Sequence, residues 1–465
     1  MEIVWKILWG IIGISLLVTI HEFGHYWVAR KLGFKVLRFS VGFGKPLWKR
    51  VGPAPDHIEY VVAAIPLGGY VRMLDERDGE VPAADRPRAF TSKPPWQRIL
   101  VLLAGPAANI FFAIGVLWIM FWAKGVTEIR PVLGEVTLGK PAAEAGLHKG
   151  DMVLAINGRA VEDRGELQFK LLGAVSGDGP VVLRVRAESG GERVVTLPLA
   201  DPGQRFDLTK PNQLLSGLGF EFWSPPIPPK IFSLITGGPA DLAGLKVGDQ
   251  ILAADGQPIN DWREIRAYVS ERPGKAIVLR VRSENSEREV RVVPDSVTEG
   301  GKTFGLLRIG APKNILQYYP KTFVIERQMG PIEALGAGAA EAWQMTSAQA
   351  TFFWRMITHR ISSDNLTSLI TIADYAGSAA SAGPATLFML LVLLSLSLGF
   401  MNLLPIPILD GGQIVFQVAE WIRGRPLSDR VYIVGQQAGL IAIVLLMGVA
   451  LFNDLSTYVF AGAGK

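Results

Sequence analysis

The chain contains no cysteine among its 465 residues. That excludes a disulfide-stapled fold, a thiolate-ligated zinc site and a cysteine nucleophile, and it leaves the redox compartment open. Charge is scarce as well: Asp, Glu, Lys and Arg make up 19%, below the roughly 25% of ordinary globular chains. Hydrophobic residues reach 49%, and the mean hydropathy is positive. A disordered chain, a coiled coil and an ordinary soluble enzyme are excluded, because the apolar residues must be gathered into membrane spans. The net charge of +5 is too mild and too dispersed to argue for a nucleic-acid partner. No Gly-x-Ser-x-Gly or Gly-Asn-Ser-Gly-Gly loop is present, which removes an envelope serine protease. The spans also hold too few acidic and histidine residues for a metal transporter.

Length alone suggests about three domains. Four stretches are apolar enough to cross a bilayer, which takes about 20 residues. They run from Val4 to Ile20 (continuing through His21–Ala29), from Ile99 to Ala123, from Pro384 to Leu404 and from Val431 to Phe452. The first is not a signal peptide: no small-x-small cleavage site follows it. Lys and Arg set the expected orientation. Arg30, Lys31, Lys35, Arg38, Lys45, Lys49 and Arg50 follow the first span, and Arg423, Arg425 and Arg430 lie between the third and fourth. Lys6 alone lies at the outer end of the first span and Lys465 alone follows the last. Both termini and the large middle segment are then expected on the trans side of the membrane, with the first and third connections cytoplasmic.

The middle contains a repeat. Gly139–Asp163 and Gly237–Asp261 align without a gap, 98 residues apart (237 minus 139). Pro141/Pro239, Gly146/Gly244, Gly150/Gly248, Asp151/Asp249 and Gly158/Gly256 coincide. One supersecondary unit is used twice: a short helix, a Gly-Asp turn, an alternating strand and an Asn-Gly or Asp-Gly hairpin turn. The pattern resembles PDZ domains in the permuted form of bacterial envelope proteases. Gly217-Leu-Gly-Phe220, ahead of the second copy, looks like its carboxylate-binding loop. After the repeats, residues 330–361 read as an amphipathic helix lying on the membrane surface.

The first span runs into His21-Glu22-Phe23-Gly24-His25. Four residues of helix advance about 400°, so the two imidazoles sit about 40° apart on one face and can reach one metal ion. Glu22 is placed beside them to handle a proton. Such groups inside an apolar span are costly and mark function. HExxH needs a third protein ligand. Residues 402–412 read Asn402-Leu-Leu-Pro405-Ile-Pro407-Ile-Leu-Asp410-Gly411-Gly412. Pro405 and Pro407 cannot continue a helix, so the backbone unwinds at membrane depth, where it must line a cavity. Asp410 lies on that segment as the expected third ligand, with Gly411-Gly412 allowing a tight turn.

The HEFGH of the first span and the NLLPIPILDGG that follows the third resemble the site-2 protease family, across essentially the whole chain. The resemblance implies one Zn²⁺ per chain, held by His21, His25 and Asp410, with Glu22 as the catalytic glutamate. Asn402 matches a residue that positions substrate, with Pro405 and Pro407 in the same motif. Phe39–Gly44 and His57–Met73 read as strands around a Gly68-Gly69 turn. In the family this is a membrane-dipping β-loop that pairs with unwound substrate, which makes Gly68, Gly69 and Tyr70 substrate-binding candidates. Ala104–Asn109 matches a small-residue packing motif. Gln413, where His is frequent, and Ser395 and Ser397 depart from the pattern without touching a ligand.

The expected fold is a polytopic α-helical membrane protein of four transmembrane helices with a β-loop and two tandem PDZ domains. The expected divisions are 1–124 (two spans, HExxH and the cytoplasmic β-loop), 125–222 and 223–312 (PDZ domains), 313–383 (membrane-surface helical region) and 384–465 (two spans). The expected activity is regulated intramembrane proteolysis by a zinc metalloendopeptidase. Its substrates would be single-span membrane proteins of the anti-sigma-factor type and remnant signal peptides, after a first trans-side cut. The PDZ pair would act as a size filter or bind peptide C-termini, and the lipid bilayer is the remaining partner. The alternative is a membrane-anchored PDZ scaffold with a non-catalytic zinc site.

Overall fold

The structure is a computed structural model that describes residues 2–284, 286–299, 302–312, 314–366 and 368–455. Lys465 lies outside these. Two compact units emerge: one runs to Val126 and resumes at Arg327, and the other is Thr127–Glu326.

The first unit opens with α1 (Glu2–Lys31), β1 (Val36–Val51), β2 (Glu59–Met73) and α2 (Pro95–Lys124). The two long strands bend, so each contributes two segments to one sheet. Residues 36–41 pair with 69–73 on one side and, from Arg38, face residues 59–62 on the other. After a bend at Gly42 and Gly44, whose φ angles are +89° and +85°, residues 46–51 run back along 59–63. The hairpin connection is therefore residues 52–58, and Gly68-Gly69 is not the turn that the sequence suggested. Gly68 (φ +136°) is a bend inside β2, where the ring of Phe43 fills the place of a side chain.

The second unit begins with β3 (Val126–Ile129), β4 (Leu133–Val136), α3 (Pro141–Glu144), β5 (Met152–Ile156), β6 (Arg159–Ala160) and α4 (Arg164–Val175). It continues through β7 (Val181–Arg186), β8 (Glu192–Leu197), α5 (Pro202–Leu208), α6 (Gln213–Leu218) and β9 (Phe220–Phe222). The second copy has β10 (Ser233–Leu234), α7 (Pro239–Leu242), β11 (Gln250–Ala254), β12 (Gln257–Pro258) and α8 (Trp262–Ser270). After these come β13 (Ile277–Ser283), β14 (Ser286–Val292), β15 (Asp295–Glu299), β16 (Lys302–Leu306), β17 (Ile309–Gly310) and β18 (Val324–Arg327).

Both copies build the same four-stranded sheet, β6-β5-β7-β8 and β12-β11-β13-β14, with an irregularity at the same place in β5 and β11. Asn157 and Asp255 take the left-handed φ that each hairpin turn demands. Asp151 and Asp249 are buried at matching turns, where they accept from the His148 and Lys246 amides and pair with Arg193 and Arg288. Gly217-Leu-Gly-Phe220 belongs to the first copy, not the second. β9 pairs with β4, Phe220 enters the first core beside Leu133 and Leu218, and the Thr137 amide donates to the Gly219 carbonyl at 2.8 Å.

The first unit resumes with α9 (Pro331–Ile357), α10 (Leu369–Ala382), α11 (Pro384–Asn402), α12 (Asp410–Arg423) and α13 (Asp429–Leu455). Among the described residues, four helices are long and apolar enough to cross a membrane: Val4–Lys31, Pro95–Lys124, Pro384–Asn402 and Asp429–Leu455. α9 departs from the surface placement read in the sequence: it packs along α2 and α11. Its small residues Ala334, Gly338 and Ala342, spaced by four, form a buried stripe that admits α2 closely. Trp118 Nε1 donates to the Pro331 carbonyl at 2.8 Å. α10 lies against α1, where Lys6 pairs with Asp374 at 2.9 Å.

A Cβ on Gly338 would stand 3.1 Å from the Trp118 backbone nitrogen. Gly338→Val should push α9 off α2 and cost about 1–3 kcal/mol. The measurement is the thermal unfolding midpoint in detergent, which should fall.

Candidate metal centre

α1 is helical through the whole HEFGH segment, so His21 and His25 stack one turn apart, both nearly inaccessible. Their Nε2 atoms lie 3.2 Å apart. Asp410 Oδ2 is 3.1 Å from the Nε2 of His21 and 3.4 Å from that of His25. Among the described residues these three form a group able to hold a metal ion, all ligand atoms lying within 4.8 Å of one another. A tetrahedral zinc site with bonds of roughly 2.0–2.1 Å has ligand-to-ligand edges of about 3.3 Å. Two imidazoles and one carboxylate at these separations fit zinc in both chemistry and size.

α2 forms the wall behind this group. A Cβ on Gly24 would overlap the Ala104 carbonyl, and a Cβ on Gly105 would overlap the His25 ring and reach the Nε2 of His21. The glycines let α1 and α2 touch at the depth of the imidazoles. Pro106, inside α2, has no N–H to return to the carbonyl four residues earlier, and it follows Gly105, which faces the rings. His25 Nδ1 lies 2.7 Å from the Val101 carbonyl, and His21 Nδ1 lies 3.3 Å from Asn109 Nδ2.

Asp410 comes from elsewhere in the sequence. α11 ends at Asn402, residues 403–409 are irregular and include Pro405 and Pro407, and Asp410 is the first residue of α12. Gly411 and Gly412 are therefore not a turn. They begin the helix, and Cβ atoms there would overlap the backbones of Leu403 and Ile406. Gln413 Nε2 donates to the Pro407 carbonyl at 2.7 Å and holds the irregular segment, a task its sequence gave no sign of. Farther along α12, Glu420 and Gln417 accept from Arg98 of α2 at 2.8 and 2.7 Å, and Tyr432 of α13 donates to Glu420 at 3.0 Å. This buried network sets the rotation of the helix that presents Asp410.

Glu22 is half-buried beside the edge of the sheet. A Cβ on Gly69 would stand 3.1 Å from Glu22 Cγ. Gly68 is the bend leading into this edge. The Tyr70 hydroxyl accepts from Arg38 at 3.0 Å, and its ring stacks on Phe43. Lys49, with Arg38 beside it, holds the Glu59 carboxyl below the ordinary carboxylate range, so this ion pair anchors the sheet. Asn402 is not turned into the group: its amide donates to the Leu398 carbonyl of its own helix at 3.0 Å.

Sequence reasoning treated Ala104–Asn109 as packing alone. The signal for more was a carboxamide in an otherwise uncharged span. The Arg98–Glu420 pair spans 322 residues of sequence and had no local signature.

Comparison with known proteins gives one family and close relatives. The sequence pattern of Peptidase family M50 matches residues 9–446. The regulator of sigma-E protease RseP of Salmonella typhimurium (strain 14028s / SGSC 2262) is 37% identical over 457 residues, covering 98% of this chain and 99% of the relative. RseP of Escherichia coli (strain K12) is 37% identical over 456 residues, with the same coverage. A relative from Neisseria meningitidis, whose name contains the words zinc metalloprotease, is 38% identical over 450 residues, covering 96% of this chain and 98% of its own length.

Gly105→Ala should displace the imidazoles and abolish stoichiometric zinc, by metal analysis of the purified protein. A variant that binds zinc normally would show that α2 does not abut the metal site.

Proposed function

We propose that this chain, which belongs to peptidase family M50, the site-2 proteases, and is an intramembrane zinc metalloprotease, holds its zinc with His21, His25 and Asp410 and moves protons with Glu22. One observation carries the assignment: the Nε2 atoms of two helix-stacked histidines and a carboxylate oxygen from a distant element meet with edges of 3.1, 3.2 and 3.4 Å. Bound zinc supplies Lewis acidity, polarising the scissile carbonyl and acidifying the attacking water.

The chain's own groups do the rest. Glu22 takes a proton from the attacking water and returns it to the leaving amine nitrogen as the C–N bond breaks and a C–O bond forms. The edge formed by Gly68, Gly69 and Tyr70 lies against Glu22, and an unwound substrate segment adds to it as a strand. That addition presents the substrate carbonyl, which a helix would hide in its own hydrogen bonds. Pro405 and Pro407 keep the backbone before Asp410 open, and Asn402 contributes a polar contact to the substrate from the end of α11. Apolar helices enclose the site, so water reaches it only through a protein-lined cavity.

The substrates are single-span membrane proteins of the anti-sigma-factor type and remnant signal peptides, already trimmed on the trans side. The two repeats are PDZ domains, residues 125–222 and 223–312. They stand in the periplasm with both termini and bar bulky substrates, and their grooves accept peptide C-termini. The β1–β2 sheet dips into the cytoplasmic face of the inner membrane, between the two spans of residues 1–124. Residues 313–383 join the repeats to the last two spans, residues 384–465. The Lys and Arg distribution supports this orientation.

Glu22→Gln should abolish cleavage of a single-span reporter with a short trans tail, a loss of about 10²–10⁴-fold, while keeping about one zinc per chain. Asp410→Ala should lose both activity and zinc. Cleavage by Glu22→Gln at the wild-type rate would remove Glu22 from the chemistry. Chelation should silence the wild type, and added Zn²⁺ should restore it, in the same reporter assay. Deleting the two repeats should let the protease cleave a reporter whose trans domain is intact, by gel mobility of the product.

A further inference from the structure

Asn109 is fully buried in α2, and its Oδ1 has no hydrogen-bond partner among the described residues. Its carboxamide faces Nδ1 of His21 at 3.3 Å, with the nitrogen, Nδ2, as the nearer atom. A neutral imidazole carries one N–H and one lone pair. If the converging Nε2 atoms of His21 and His25 hold zinc, both must offer lone pairs there. The proton of each ring then sits on Nδ1 and needs an acceptor. The Val101 carbonyl meets this need for His25 at 2.7 Å. His21 faces only an amide whose donor is turned toward it, while an acceptor beside it stands idle. The two ends of a carboxamide are nearly equal in shape, so a half-turn about the Cβ–Cγ bond exchanges them.

We infer that Asn109 is a positioning residue for the zinc site: with its amide turned, Oδ1 accepts from Nδ1–H of His21 and fixes the tautomer that leaves Nε2 free to bind metal. The inference rests on the ligand set proposed above. The residue is held for this task. Ser395 of α11 donates to the Asn109 main-chain carbonyl at 2.9 Å, and Gly399 admits its Cβ closely. α11 thus grips Asn109, and the chain that leaves α11 carries Asp410.

The test uses the full chain purified in detergent, loaded with Zn²⁺ and titrated with a competing chelator. Asn109→Leu keeps the volume and removes the acceptor, and Asn109→Asp keeps an oxygen that accepts but cannot donate. His21→Ala reports on the ligand set itself. Asn109→Leu should bind zinc about 10–100-fold more weakly than wild type, at an unchanged thermal midpoint of the metal-free protein. Asn109→Asp should bind close to wild type, and its Co²⁺-substituted form should keep the wild-type visible spectrum. Wild-type affinity in Asn109→Leu would overturn the inference. So would Asn109→Asp binding zinc 10-fold or more weakly than wild type, which decides the matter even where the leucine variant fails to fold. If His21→Ala binds zinc as wild type does, the ligand set fails and this inference falls with it. If His21→Ala loses zinc while Asn109→Leu keeps it, only the positioning role fails.

Discussion

The contact between α1 and α2 at Gly24 and Gly105 is the constraint on which the rest depends. Two imidazoles inside an apolar bundle cannot turn to water for their second hydrogen bonds, so protein must meet them. A carbonyl or carboxamide on another helix reaches a histidine only if the two backbones nearly touch. Side chains at residues 24 and 105 would hold them apart, and the rings would lose Val101 and Asn109 together. Two residues without a Cβ are therefore as much a part of the candidate metal site as its proposed ligands.

α2 distributes this constraint through the membrane unit. One stretch of it receives the imidazoles, another receives the small-residue stripe of α9, and its first turn holds α12 through Arg98. α12 begins with Asp410, so one helix places two of the proposed ligands directly and the third through its neighbour. The sheet contributes an edge rather than a ligand. Gly68 and Gly69 bring that edge against Glu22.

Much of the site was legible before any fold was known. HEFGH on an apolar helix states its own geometry, because a spacing of four residues on a helix has one outcome. The two prolines before Asp410 announced an irregular backbone, and residues 403–409 are irregular. The repeat was equally plain, since identical turns in identical order build identical sheets. The misreadings share a cause. Gly68-Gly69 reads as a turn because glycine pairs are commonest there, yet here glycine serves a bend and a close approach. Gly411-Gly412 was misread in the same way. Gly217–Phe220 was assigned forward to the nearest copy, although its strand returns to β4, which begins 87 residues earlier (220 minus 133). A surface helix and a helix packed on its neighbours carry similar patterns, because lipid and protein both accept apolar side chains.

The sequence by itself determined which residues are the candidates for holding the metal and moving a proton, and that they lie in or beside stretches apolar enough to cross a membrane. Short-range helical geometry and the cost of burying polar groups are enough for that. Only the tertiary structure decided how closely the donors converge, that Glu22 meets a strand edge, and that Asn109 stands behind His21. These depend on distances between helices, which are set by the absence of side chains at a few glycines. A residue string records such an absence without saying what fills the space it leaves.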